Sequence, residues 1–253
     1  MQVLGASRTD LHLRAHEAIS PEEQRAFAAL ADRRLAGEPV AYLTGRREFW
    51  SLDLEVGPAV LVPRPETEIL VEEVLRFTSD AKNGTLRIAD IGTGSGAVAL
   101  ALAVALERVH VVATDISRDA LAVAFRNARR LHVEERISFL AGDLLEPLQG
   151  GFDCIVSNPP YLSQGEFSSL MRDVREFEPR EALVAGREGT EMHRRLIGTA
   201  PMHLRRNGRL FLEIGPDQKT PVEEFFLDGG HYRDIRFRKD YGGLWRVVSA
   251  ARV

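Results

Sequence analysis

The segment Val156-Ser157-Asn158-Pro159-Pro160-Tyr161 holds residue types suited to chemistry on a planar nitrogen. A buried apolar run, FDCIVS, ends in a residue that the following proline forces into an extended conformation. Two successive prolines stiffen the chain and remove two N–H donors. What remains is a rigid element offering two acceptors, the Asn158 side-chain oxygen and the Pro159 carbonyl. The nitrogen of a planar amide or amine has a delocalised lone pair and is a poor nucleophile. Two acceptors that take its two N–H hydrogens orient it and favour pyramidal character as a methyl group arrives. That benefit is largest in the transition state, where binding accelerates chemistry. Tyr161 fits as an aromatic wall that stacks on the planar group and turns its π-face toward a cationic donor. Asn158, Pro159 and Tyr161 are therefore the expected catalytic residues, and Pro160 joins them in the substrate site. No strong general base is required, because the nitrogen becomes acidic only after the new bond forms.

A second constellation is Asp90-Ile91-Gly92-Thr93-Gly94-Ser95-Gly96, at a strand-to-helix turn. Glycines there let the backbone come close to a ligand at the carboxyl edge of a sheet. By spacing alone the loop also reads as a dinucleotide fingerprint made of Gly92, Gly94 and Ala97. Asp115, at the end of the next strand, stands where an acid binds ribose hydroxyls in either cofactor class. Two features favour S-adenosylmethionine. Asp90 can accept from an ammonium group, which S-adenosylmethionine carries where a dinucleotide carries phosphates. Asp143, after the third strand, offers an acceptor to an adenine amino group, and Leu144 can cover the ring.

These residues need elements to hold them. Ser20-Pro21-Glu22-Glu23 is a capping box with proline at the first helical position, and Phe27, Leu30, Ala31 and Leu35 follow at helical spacing up to Gly37. Such a helix cannot make a core alone and must pack on something else. The stretch 39–63 is β-branched, aromatic and punctuated by Gly and Pro, which predicts a short hairpin. From Glu66 the pattern alternates. Strands are predicted over 86–91, 110–114, 137–141, 152–157, 209–214, 234–238 and 244–249, with helices over 67–78, 97–106, 117–131, 192–204 and 220–227. This alternation predicts an α/β fold, a seven-stranded, mostly parallel sheet covered on both faces, with the last two strands forming an antiparallel hairpin across KDYGG. The division is a helical segment 1–37, a β-hairpin linker 38–65 and an α/β domain 66–253.

Bulk properties narrow the classes. A net charge of −4 and only short, acid-interrupted basic stretches disfavour a stable nucleic-acid partner. No apolar run approaches the ~20 residues that span a bilayer, so no membrane partner is expected, and the N-terminus lacks the order of a signal peptide. The single cysteine, Cys154, lies in a buried strand, cannot form an intrachain disulfide and fits a cytoplasmic, reducing compartment. Histidines 12, 16, 110, 132, 193, 203 and 231 show no metal-ligand spacing and read as surface or helix-end residues, so no metal is expected.

With these residues assembled, the chain resembles the peptide chain release factor glutamine N5-methyltransferases (the HemK/PrmC family). The resemblance is carried by GEPVAYLTGRREFWSLDL (37–54), LVPRPETEILVE (61–72), ADIGTGSGAVALALA (89–103), IVSNPPYL (155–162), FEPREALVAG (177–186) and KDYGGLWRVV (239–248). The Asn-Pro-Pro-Tyr loop alone is shared with adenine-N6 and guanine-N2 methyltransferases of nucleic acids. Arg64-Pro65-Glu66-Thr67-Glu68 is more specific. The resemblance implies a Rossmann-like S-adenosylmethionine-dependent methyltransferase fold plus a small N-terminal helical domain that recognises the substrate. It also implies methyl transfer to the side-chain amide of the glutamine in the Gly-Gly-Gln motif of class 1 release factors. By the same resemblance Gly92 to Gly96, Asp115, Asp143 and Leu144 hold S-adenosylmethionine, released as S-adenosylhomocysteine. Asn158 to Tyr161 hold the glutamine, Asn158 also lies beside the methyl donor, and Arg64, Pro65 and Glu66 line the substrate entrance. Read without the resemblance, Arg64 and Glu66 are a surface ion pair of little energetic weight. The family usually carries further helix before the point matched by VLGASRTDLHLR, so this chain is expected to begin inside the helical domain. The alternative reading is a nucleic-acid amino-methyltransferase acting on adenine N6 or guanine N2. A nicotinamide-dependent oxidoreductase keeps the glycine loop but leaves Asn-Pro-Pro-Tyr unexplained.

Overall fold

Two serine capping boxes start the chain's first helices. Ser7 caps α1 (Arg8–Leu13), and Ser20 caps α2 (Pro21–Leu35), its hydroxyl accepting from the Glu23 N–H while the Glu23 carboxylate accepts from the Ser20 N–H. The computed structural model describes residues 2–79 and 84–253. Among them α2 buries none of its residues, and Phe27 and Leu35 stay 63% and 82% exposed. The helix packs only partially, against the next short helix, with Leu30 and Ala31 half-buried, and its apolar side chains line an open groove with Leu4, Leu11 and Leu43.

The stretch read as hairpin opens with a short helix, α3 (Val40–Thr44), stopped by Gly45 in the left-handed region. Tyr42 anchors it by donating a 2.5 Å hydrogen bond to the Val60 carbonyl. The hairpin itself is β1 (Arg46–Phe49) and β2 (Leu52–Glu55). Its turn residues Trp50 and Ser51 have φ of 54° and 57°, the pattern of a type I′ turn made without glycine. Two carboxylates steady it: Glu68 accepts from the Trp50 N–H at 2.8 Å and Glu48 from the Ser51 N–H at 2.7 Å.

The alternation then runs α4 (Glu68–Thr78), β3 (Leu86–Ile91), α5 (Ala97–Ala105), β4 (Val109–Asp115), α6 (Arg118–Arg130), β5 (Ile137–Ala141) and β6 (Phe152–Ser157). A segment left unassigned from sequence supplies β7 (Leu162–Ser163), α7 (Gln164–Ser168), α8 (Arg172–Phe177) and β8 (Val184–Gly186). The chain closes with α9 (Glu191–Thr199), β9 (Leu204–Glu213), α10 (Lys219–Asp228), β10 (Tyr232–Lys239) and β11 (Trp245–Arg252). The helix expected to reach residue 204 stops at Thr199, because Pro201 cannot continue an α-helical ladder and a 3-10 turn takes over. The next strand accordingly starts at Leu204 rather than at 209.

Seven strands form one sheet in the order β10-β11-β9-β6-β3-β4-β5. The five from β9 to β5 are parallel, and β11 pairs antiparallel with both β9 and β10. Every strand buried on both faces must be apolar throughout, and helices cover both sides. Val74, Leu100, Leu102 and Phe211 pack on one face, and the hairpin adds Phe49 and Leu54 to that core. Leu196, Ile197, Val222 and Phe226 pack on the other. Cys154 is free and buried within the first of these cores, as its strand position predicts. His193 departs from the surface reading: it is fully buried, and burial pushes its pKa down to about 4. Among the described residues no group of three or more His, Cys, Asp or Glu is placed to hold a metal, and no helix is long and apolar enough to cross a membrane.

Candidate active site

Parallel strands put their carboxyl ends on one edge, and a ligand crevice opens where neighbouring strands lead their loops in opposite directions. Here β3 lies between β4 and β6. The register pairs Ile91 with both Thr114 and Ser157, and Asp115 with Ala141. Gly92, Asn158 and Gly142 therefore each leave the sheet at the same edge, although the glycine loop and the Asn-Pro-Pro-Tyr loop are 66 residues apart in the chain. The Ser157 hydroxyl donates to the Ile91 carbonyl at 2.7 Å and locks the two strand ends together.

Gly92, Gly94 and Gly96 all sit at positive φ (71°, 56° and 85°), a requirement that explains the residue type. They differ in what lies around them. A Cβ on Gly96 would meet Leu100 Cδ1 at 2.9 Å and the Ala124 Cβ at 3.2 Å, so this glycine lets the loop pack on α5 and α6. A Cβ on Gly92 or Gly94 would meet nothing within 4 Å. Their backbone is open to a ligand.

The acids expected around the loop are brought together. Asp90 is 2% exposed, and its Oδ2 accepts from the Thr93 hydroxyl at 2.7 Å and the Ala99 N–H at 3.1 Å. Burial nonetheless pushes this carboxyl up to about 6. Asp115 accepts from the Gly94 N–H and the Ser117 N–H, both at 2.9 Å, and burial raises its pKa against those bonds. Asp143 is half-exposed and pairs with Arg195 at 2.6 Å, while Leu144 follows it at a φ of 48°. Gly92, Gly94, Asp115, Asp143, Leu144, Asn158 and Pro160 line one cavity of about 320 Å³. A smaller one of about 60 Å³ shares Gly92, Gly94 and Asn158 and adds Arg64, Asp90, Thr93 and Ser95. Asn127 of α6 braces this floor, donating to the Ser95 carbonyl at 2.9 Å and exchanging hydrogen bonds with the Glu55 backbone.

Other expected residues lie at or behind the rim. Pro159 is buried, Pro65 and Glu66 are exposed in a 3-10 turn before α4, and Gly96 serves packing. Tyr161 is half-buried, its phenol pushed up to about 12 by burial, and its carbonyl accepts from Gln218 at 2.7 Å. Arg64 is not paired with Glu66. It donates to Glu178 at 2.6 Å, and the other Glu178 oxygen accepts from the Val62 N–H at 3.0 Å. Glu178 went unassigned from sequence although FEPRE was visible as a motif. Thr67 carries no sequence signal for a site role, yet its hydroxyl accepts from the Asn158 Nδ2 at 3.0 Å, which leaves the Asn158 oxygen as the free end of the amide.

Comparison with known proteins gives the family and the fold. The PrmC N-terminal domain matches residues 1–45, and the methyltransferase small domain matches residues 66–175. The release factor glutamine methyltransferase of Moorella thermoacetica is 45% identical over 247 residues, spanning 97% of this chain and 86% of that protein. Its counterpart in Coxiella burnetii is 41% identical, spanning 99% and 88%. In fold the chain is similar to the N-terminal domain of human METTL16 in complex with SAH, with a TM-score of 0.59 at 16% identity over 79% of this chain and 76% of that one. On the strength of relatives aligned along nearly its whole length, this chain belongs to the release factor glutamine methyltransferase family.

Proposed function

We propose that this protein transfers a methyl group from S-adenosylmethionine to the side-chain amide nitrogen (N5) of the glutamine in the Gly-Gly-Gln motif of class 1 peptide chain release factors. The observation that carries the reading is the Asn158 amide. Its nitrogen is held by Thr67, its oxygen is left for a substrate, and it lies at the level of the open glycine backbone. The relatives' names supply the substrate class.

The residues fit the cofactor. Open backbone at Gly92 and Gly94 receives its methionine end, with Thr93, Ser95 and Gly96 shaping the loop. Asp90, pushed up to about 6 by burial, gains a reason to ionise when an ammonium group arrives. Asp115 accepts from ribose hydroxyls, while Asp143 and Leu144 take the adenine. When bound, S-adenosylmethionine supplies an electrophilic methyl group on a sulfonium and departs as S-adenosylhomocysteine. The Asn158 oxygen and the Pro159 carbonyl accept the two amide hydrogens of the glutamine, Tyr161 and Pro160 hold its plane, and the nitrogen sheds one proton to water as its bond to carbon forms. Positioning and preorganised acceptors supply the acceleration.

The exposed Pro65 and Glu66, with Arg64 behind them, serve as the rim a protein substrate meets. Residues 1–37 serve as the recognition domain, 38–65 as its link and 66–253 as the catalytic domain. The apolar groove of about 670 Å³ along α2 supports a contact role for the first of these. A substrate that works on the ribosome places the reaction in the cytoplasm. Incubation with labelled S-adenosylmethionine and a release factor, its Gln→Ala variant, DNA or ribosomal RNA tests the reading. Label is expected on the parent factor alone, and equal label on the variant, or label on nucleic acid only, refutes it.

A further inference from the structure

Gln218 follows β9 and stands at the N-cap of α10, yet its side chain makes no capping bond to that helix. It turns back and ties together three stretches of backbone. Its Oε1 accepts from the Gly215 N–H at 3.0 Å, while its Nε2 donates to the Tyr161 carbonyl at 2.7 Å and to the Gly189 carbonyl at 3.0 Å. The reversed amide would set an oxygen against two carbonyls and an NH2 group against an N–H, so the partners fix which end is which. Two glycines let the segments meet this closely. A Cβ on Gly189 would come within 2.8 Å of the Tyr161 carbonyl oxygen, and a Cβ on Gly215 would lie 3.2 Å from the Gln218 Cδ. Three backbone groups thus converge on one side chain, and a primary carboxamide is the group that offers two donors beside one acceptor.

We infer that Gln218 is a positioning residue that clamps the far end of the Asn-Pro-Pro-Tyr loop and so aims the Pro159 carbonyl and the Tyr161 ring. The near end is fixed at the strand, where Ser157 donates to the Ile91 carbonyl and the Asn158 Nδ2 to Thr67. Between the ends, Pro159 and Pro160 have ring-fixed φ and no N–H, so neither can anchor the loop by donating. The far end is one peptide plane. Its Leu162 N–H donates to the Leu183 carbonyl at 3.0 Å, and its Tyr161 oxygen accepts from Gln218. Without the second bond the plane is free to pivot about the first and carries Tyr161 with it. Gln218 lines neither cavity of the site, so it reaches the reaction only through the loop. The inference rests on the substrate-orienting role proposed for this loop and adds the residue that enforces it from 57 positions away.

Two substitutions separate the clamp from simple space-filling. In Gln218→Met the length and bulk stay and all three hydrogen bonds go. In Gln218→Glu the acceptor for Gly215 stays, but a carboxylate has no hydrogen for Tyr161 or Gly189, and protonation returns one. Two carbonyl oxygens facing the new carboxyl disfavour its ionised form, which moves that protonation toward neutral pH. The charged groups on the segments that meet there are Asp217 and Lys219 beside it, Arg187, Glu188 and Glu191 around Gly189, and Glu166 beyond Tyr161. All six are common to the parent and both variants.

The test measures methyl transfer to a release factor, cofactor affinity by calorimetry, and hydrogen exchange of the Leu162 N–H by 15N NMR. Gln218→Met is expected to lower kcat by roughly 10–100-fold, with KM and cofactor affinity within about twofold of the parent, as for a reacting group held out of line. Its Leu162 N–H exchanges faster than in the parent, while the amides of β6 exchange alike. Gln218→Glu matches Gln218→Met at about pH 8.5 and, relative to the parent at the same pH, regains about fivefold or more by about pH 6. Parent-like kcat with parent-like Leu162 exchange in Gln218→Met overturns the clamp. So does a loss of cofactor affinity as large as the loss of rate, or a Gln218→Glu rate whose ratio to the parent is flat with pH. If the parent itself leaves the release factor unlabelled, the substrate reading fails, and Leu162 exchange in Gln218→Met still decides whether Gln218 holds the loop.

Discussion

Two neighbouring glycines in one loop are expected to fail in opposite ways when given a methyl group. Gly94 and Gly96 share a left-handed backbone, with φ of 56° and 85°. Placing alanine there costs about 1–2 kcal/mol for the conformation alone. At Gly94 that is the whole folding penalty, because the added Cβ meets nothing within 4 Å and the N–H bond to Asp115 survives. At Gly96 the Cβ would lie 2.9 Å from Leu100 Cδ1 and 3.2 Å from the Ala124 Cβ, both on helices that cannot retreat freely. Overpacking of that kind adds about 1–3 kcal/mol, for a total of about 2–5 kcal/mol. At roughly 2–4 °C per kcal/mol for a chain of this size, Gly94→Ala lowers Tm by about 2–8 °C and Gly96→Ala by roughly 4–20 °C. Binding runs the other way. The space above Gly94 is the proposed cofactor site, so its methyl group competes with the ligand and weakens S-adenosylmethionine by about tenfold or more, near 1.4 kcal/mol. The folded fraction of Gly96→Ala binds closer to the parent. Thermal melts and isothermal calorimetry on the two variants read both quantities. Parent-like cofactor affinity in Gly94→Ala would refute the assignment of this loop.

Asn158→Ala is expected to lower kcat by about 100-fold or more, the scale of one lost oxyanion-type contact, while calorimetric cofactor affinity stays near that of the parent. A loss of affinity as large as the loss of rate counts against its substrate role. Arg64→Ala strands the buried Glu178 carboxyl, so it is expected to destabilise by about 3 kcal/mol in urea titrations, the low end for breaking such a pair because Arg64 is partly exposed. Glu66→Ala, at an exposed position, changes stability little, and equal effects would show that the Arg64–Glu178 pair does not hold the rim. Asp90→Asn tests the sign of a buried charge. The folded carboxyl is pushed up to about 6 from 3.8, so its ionisation works against the fold above about pH 6 and not below 3.8. The variant is expected to gain melting temperature relative to the parent at pH 8, to lose that gain by pH 4, and to bind S-adenosylmethionine more weakly. A gain that grows toward acid pH would contradict the sign.

Much of this molecule is legible in its residue order. The strands 86–91, 137–141 and 152–157 appear at the residues predicted, the first and last because a central strand buried on both faces is a mainly apolar run ended by a turn residue. The glycine loop and the Asn-Pro-Pro-Tyr loop are legible because positive φ and fixed φ each demand particular residue types, and Asp115 and Asp143 because one ends a strand and the other follows one. The rest depended on contacts between distant parts of the chain. Arg64 meets Glu178 across 114 residues instead of its neighbour Glu66, and Asn158 meets Thr67 across 91. Trp50 and Ser51 hold a turn that normally asks for glycine, because Glu68 and Glu48 accept from their N–H groups. Glu213 at the end of an apolar strand was a visible anomaly in GRLFLEIG, but nothing in the order of residues could say what it faces. Residue type and spacing determine which backbone conformations are affordable at each position. Only the packing of the sheet and its helices brings a particular hydroxyl to a particular amide, since that pairing is set by the sum of all burial and not by any one segment.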